Sequence, residues 1–353
     1  MIGPHVHLRD WDQSSKETLY HGLKVAYLAG YDMIIEMPNT SPAIVTRELA
    51  EKRMDDADRA REQLAKEGME IEHGLYMGLT SDPYQIEEAV KTVDENPRVH
   101  GAKLFLGHSV GNMGLVDVDE QYSTIARLVE LDFRHLLPGH CEKEAYIKRS
   151  GDKQYFDPSD PITHAWARPE EAELFSAVDF ITMADQLGFK GRLHICHVSA
   201  PAVVNYVELM RPKVDFDITV GLTPQHALLD LEYMNRKDGI LYKVNPPLRS
   251  RRSRKEMFQA LIDGRIDWIE TDHAPHTLDD KLNSYASGLP GFPIMPHFLK
   301  HLRQYISDQR IEDLTHNNIQ KALRIEVQSS GRAASFDLFS EYEYNPYCDF
   351  VTK

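Results

Sequence analysis

Cysteine is scarce in this chain of 353 residues, with only Cys141, Cys196 and Cys348 present. So few thiols exclude a disulfide framework and suit a reducing cytoplasm. No apolar run approaches the length that crosses a bilayer, and Arg9 and Asp10 follow close on the start, so neither a membrane span nor a secretory signal is expected. Positive charge is in deficit: 40 Lys and Arg stand against 55 Asp and Glu, a formal net charge of -15. That balance argues against a nucleic-acid partner or an anionic membrane surface. An anionic substrate would need cations placed locally against this background. Glycine-rich phosphate loops of the common types are absent, as are repeats and low-complexity tracts.

What is present is alternation. Short apolar runs, IGPHVHL, YDMIIEMPN, EIEHGLYMGL, RVHGAKLFLG, FRHLLPGH, GRLHICHVS, VDFDITVGLTP and IDWIETDHAP, read as strands. Between them lie amphipathic patterns such as SSKETLYHGLKVAYLAG, TRELAEKRMDDADRAREQLAKEG, DEQYSTIARLVEL, RPEEAELFSAVDFITMADQLG, APAVVNYVELM and SRKEMFQALIDG. Gly30, Gly68, Gly188 and Gly264 close several of these as left-handed caps. Eight strand–helix units predict a (β/α)8 barrel, with a doubly wound sheet as the alternative. The stretch KRSGDKQYFDPSDPITHAWARP reads as a surface excursion. The whole chain, 1–353, is expected to form one barrel domain with a polar C-terminal extension at about 330–353.

Histidine is the composition outlier, at 17. His5 and His7 lie two apart on the first strand and so share a face. Lys103 ends the fourth strand, His140 the fifth, His197 the sixth and Asp272 the eighth. In a parallel barrel these ends meet at one mouth, where barrel enzymes build their sites. One strand histidine is usually a satisfied core or surface group. Four of them with a lysine and an aspartate are costly to bury without a partner, and a bound dication supplies one. Imidazole and carboxylate ligands suit zinc or a similar ion.

The motifs HVHLRD, MPNT, GAKLF, HCE, HICHVS, TPQH, NPPLR and TDHAPH, in this order from residue 3 to about residue 295, resemble those of the dihydroorotases, cyclic amidohydrolases of the metal-dependent amidohydrolase superfamily. The resemblance implies two Zn2+ or similar divalent ions. His5, His7 and Asp272 would hold the more buried ion and His140 and His197 the other. Lys103, carbamylated by CO2, would bridge them together with a hydroxide. The implied reaction interconverts dihydroorotate and N-carbamoyl-L-aspartate in pyrimidine synthesis, with that hydroxide as nucleophile and Asp272 as base and then acid. Arg9, two residues past His7, would fork onto the substrate carboxylate, with Asn39 and His276 sharing the task and Asn245 shaping the ring pocket. The family is often dimeric, so a homodimer is an expectation.

Several residues carry plainer expectations. His194 should face the helices, Cys141 and Cys196 should serve packing, and His273 should be structural. His108 and Ser109, near Gly107, Gly111 and Gly114, suggest a loop that closes over substrate or a simple connection. Where the family places an aspartate two positions ahead of the first ligand, this chain has Gly3. It also starts at what reads as the first barrel strand, so the barrel is expected without the family's N-terminal β-sandwich strands. The alternatives are another cyclic amidase of the allantoinase or hydantoinase type, a non-catalytic scaffold for aspartate transcarbamoylase, and a metal-free polar cluster. An uncharged hydantoin would leave Arg9 unpaired. The scaffold reading sits poorly with an intact set of ligands.

Overall fold

A computed structural model describes residues 1–108, 113–147, 149–150, 153–154 and 156–351. Eight strands pair side by side in sequence order: β1 (Ile2–Val6), β2 (Met33–Glu36), β3 (Glu72–Gly78), β4 (Val99–Leu106), β5 (Leu136–Cys141), β6 (Arg192–Ile195), β7 (Asp217–Leu222) and β8 (Trp268–Ile269). Every ladder between them is parallel. The curled sheet closes where Val6 bridges His273, just past β8, and the His7 amide donates to the His273 carbonyl at 2.7 Å. The fold is a (β/α)8 barrel. Strands buried on both faces are mostly apolar, which is why these segments lack a regular polar alternation.

Between the strands run α1 (Leu19–Leu28), α2 (Arg47–Lys66), α3 (Pro83–Glu95), α4 (Val118–Glu130), α5 (Glu170–Gln186), α6 (Pro201–Met210), α7 (Arg251–Ile262) and, after β8, α8 (Met295–Leu302). Their starts are written locally. The side chains of Thr18, Thr46, Asp82, Asp117 and Ser250 accept from first-turn amides, satisfying donors that a helix cannot pair internally. Gly30, Gly68, Gly188 and Gly264 all have positive φ just after helix ends.

The barrel interior has two storeys. At the N-terminal end an apolar plug of Ile2, Met33, Ile35, Tyr76, Leu136 and Trp268 fills it, sealed from below by Ile319 and Leu323. Emptying the Trp268 position would cost about 3–5 kcal/mol. Above the plug the inward positions turn polar.

The segment after β5 is only partly a surface excursion. A two-stranded ribbon (Arg149–Ser150 with Lys153–Gln154) leads on to a short helix, Thr163–Ala167, in which His164 is fully buried. No described helix is long and apolar enough to cross a membrane.

Candidate metal and substrate site

The C-terminal ends of the strands surround a cavity of about 420 Å³. His5, His7, Arg9, Asn39, Lys103, His140, His197, Asn245, Asp272 and His276 all line it. Strand ends put them there, but two backbone turns aim the critical groups. His197 and Asp272 follow the last strand residues with φ of 36° and 45°. This left-handed backbone is costly for residues with a Cβ and tends to gather at functional sites.

His7 Nε2 lies 2.9 Å and His5 Nε2 3.4 Å from Asp272 Oδ1. Across the cavity His140 Nδ1 and His197 Nε2 stand 3.1 Å apart. Two donors on one tetrahedral ion, each about 2.0–2.1 Å from it, lie roughly 3.3 Å from each other. Both sets therefore have the spacing of metal-ligand pairs. The chemistry agrees. Burial pushes His7 down to about 4 and His197 well below the ordinary value, so each offers a neutral lone pair at pH 7, whereas His5, against burial and Lys103, is raised to about 9 by Glu270 and Cys196 and must lose a proton to bind an ion. Burial would raise Asp272, but the hydrogen bond with His7 and the charge of His5 outweigh it and keep the carboxylate ionised.

Lys103 is fully buried between these sets, and its Nζ donates to Cys196 Sγ at 3.0 Å. Cys196 is thus an interior neighbour of the site and not helix-side packing. His194 also faces inward: it stacks on Trp268 at 4.1 Å and meets Glu270 at 3.1 Å. Parity counted back from His197 misassigned both residues. β6 ends at Ile195 and the left-handed turn at His197 resets the alternation. Cys141, by contrast, packs with the helix-side core. His273 is buried, 3.0 Å from Glu17 and stacked on Phe292 at 3.9 Å, a structural role.

At the rim, Arg9 Nε donates to the Pro275 carbonyl at 3.1 Å and Nη2 lies 2.9 Å from His276 Nε2. Arg9 reaches the cavity through a turn, not through strand parity, since β1 stops at Val6 and Arg9, Asp10 and Trp11 have φ of 55°, 58° and 49°. Asn39 Oδ1 is buried without a hydrogen-bond partner. Asn245, before a cis proline, has its Oδ1 2.9 Å from His164 Nε2. Lys16 and Arg168 also line the cavity. Arg168 donates to Glu142 at 2.6 Å, and Glu142 meets His140 Nε2 at 2.9 Å. None of Lys16, Glu142, Arg168 and Glu270 was singled out from sequence. For Glu270 a signal existed: it is an acidic residue two positions before Asp272, at the end of an otherwise apolar strand run. The loop read as either closing over substrate or a simple connection includes Ser109 and Gly111, which lie outside the described residues; His108, just before them, lines the cavity.

A parallel barrel whose mouth gathers imidazoles, a carboxylate and a buried lysine has the architecture of a barrel enzyme with a candidate metal-binding group. No family model matches the chain. A dihydroorotase of Listeria monocytogenes is 30% identical over 308 residues, covering 85% of this chain and 67% of that one. A dihydroorotase of Methanosphaera stadtmanae is 28% identical over 316 residues, covering 88% and 66%. Among solved structures, the L-hydantoinase (dihydropyrimidinase) of Arthrobacter aurescens superposes with a TM-score of 0.77 at 21% identity, covering 92% of this chain and 70% of that one. The chain belongs to the dihydroorotase family of cyclic amidohydrolases. It spans about two thirds of the length of these curated relatives.

Proposed function

We propose that the protein is a dihydroorotase, opening the ring of dihydroorotate to N-carbamoyl-L-aspartate and closing it in reverse. The observation that carries this reading is the placement of Arg9 and His276 on the same cavity as the two donor sets. A guanidinium at the rim of a negatively charged protein suits a substrate that carries a carboxylate beside its cyclic amide.

His5, His7 and Asp272 would hold one divalent ion, His140 and His197 a second, and Lys103 as a carbamate would join them. Lys103 supports that last assignment. Its Nζ lies on the Cys196 thiol, which Lys103, with His5 and His194, holds down to about 5 against burial, and a bare ammonium there would repel bound ions. Bound zinc or a similar ion supplies a water acidic enough to ionise near neutral pH and a Lewis acid for the amide carbonyl.

The chain's own groups do the rest. Asp272, kept ionised, takes the proton of the attacking water and returns it to the ring nitrogen as the carbon–nitrogen bond breaks. Arg9, His276 and Asn39 hold the carboxylate, and Asn245 borders the ring. The reading extends to one catalytic unit over 1–353, acting in the cytoplasm, alone or as a homodimer.

The test is a comparison of substrates. Purified protein supplied with zinc and bicarbonate should turn over dihydroorotate and leave hydantoin and allantoin untouched. Turnover of hydantoin with none of dihydroorotate would assign it to the other cyclic amidases.

A further inference from the structure

Glu270 is a carboxylate that the mechanism above leaves unused. It is buried on the inner face of the barrel beneath the donor sets. The His197 amide donates to its Oε1, and His194 Nε2 and Trp268 Nε1 approach its Oε2 at 3.1 and 3.3 Å. His5 Nδ1 stands 3.6 Å from the same oxygen. That nitrogen is buried and has no hydrogen-bond partner. Space has been kept for the carboxylate, because a Cβ on Gly221 would fall 2.5 Å from its carboxyl carbon. β1 carries no acidic residue of its own, and a Cβ on Gly3 would meet Ile34 and Tyr31 on the helix side at 3.2 and 3.3 Å.

We infer that Glu270 is a positioning residue for both metal-ligand sets. Its Oε2, 3.6 Å from His5 Nδ1, is placed to accept that nitrogen's proton once an ion draws on Nε2, which would fix the tautomer. It also anchors the peptide of His197 in the turn that swings that imidazole toward His140. One carboxylate just past β8 thereby orients a ligand of each set, while His194, stacked on Trp268, holds the carboxylate in place. This inference rests on the metal reading above.

The experiment is titration of the metal-free full chain with Co(II) against a competing chelator, following affinity and the visible absorption spectrum. Glu270→Gln keeps the shape but puts an amide where an acceptor oxygen stood. It should bind about ten- to a hundredfold more weakly and with an altered spectrum, and Glu270→Asp should fall between it and wild type. A Glu270→Gln chain that binds Co(II) like wild type overturns the inference and leaves the metal reading standing. A wild-type chain that binds no Co(II) overturns both. If neither variant folds, the zinc-loaded wild type decides through its nitrogen-15 histidine spectrum. A slowly exchanging, downfield Nδ1 proton on His5 is expected, and its absence overturns the inference.

Discussion

Arg53→Met removes the cation from a buried ion pair and should show how the substrate-facing turn is held. Arg53 on α2 and Glu36 on β2 are both fully buried. Arg53 Nε donates to Glu36 at 2.9 Å, and its Nη2 donates to the same carboxylate and, at 2.9 Å, to the Arg9 carbonyl. The guanidinium also lies 4.8 Å from the Trp11 ring. A single cation therefore ties a strand, a helix and three consecutive left-handed residues together. Burial alone would raise Glu36, but Arg53 and the hydrogen bond with His73 hold it at about 2, against an ordinary 4.5. A depression of that size corresponds to about 3 kcal/mol, and removing one partner of a buried pair costs about 3–5 kcal/mol. Because the carboxylate is depressed in the folded state, this stability is present above pH 4.5 and is lost as pH falls toward 2. Urea unfolding at pH 7 with chelator present should show the variant less stable by about 3 kcal/mol. Adding Glu36→Gln should restore part of the loss. KM for dihydroorotate should rise more than kcat falls, because Arg9 loses its backbone anchor. A loss below about 1 kcal/mol would place the pair among weak surface bridges and refute the reasoning.

Arg9→Met should raise KM for dihydroorotate about ten- to a hundredfold, the worth of a charge-assisted hydrogen bond, with bound metal unchanged by elemental analysis. Lys243, held down to about 8 from 10.5 by burial and then by Arg168, binds protons less readily folded than unfolded. Stability should therefore rise between pH 8 and 10.5, where the unfolded chain binds more protons, and Lys243→Gln should flatten that rise in urea midpoints. Tyr347, fully buried with its hydroxyl donating to Gln225 at 3.2 Å, pins the C-terminal tail. Tyr347→Phe should cost about 1 kcal/mol, and Tyr347→Ala about 3–5 kcal/mol with faster protease cleavage of the tail.

How much could be read ahead depended on whether local rules governed a position. The eight strands and six of the helices between them were legible because apolar runs, amphipathic periodicity and closing glycines are local signals. Many cavity residues were legible as strand-end polar groups or through a family resemblance, but Lys16 and Arg168, which come from loops, were not. Strand parity failed at His194 and Cys196, where one left-handed residue reverses the alternation. The tail gave no periodicity to read. Its role is tertiary: Tyr342 donates to Glu17 at 2.9 Å and Tyr347 donates to Gln225 in the short helix Pro224–Leu228 that follows β7. The Glu36–Arg53 pair was likewise invisible, because its partners lie 17 residues apart on different elements and meet only when α2 packs on the sheet.

The most direct test of the central claim is a metal count per chain by elemental analysis, paired with dihydroorotate ring opening before and after chelation. The account predicts two divalent ions, turnover that chelation abolishes, and recovery when zinc and bicarbonate are returned. A chain that carries no metal, or that opens the ring equally well after its metal is stripped, would contradict it.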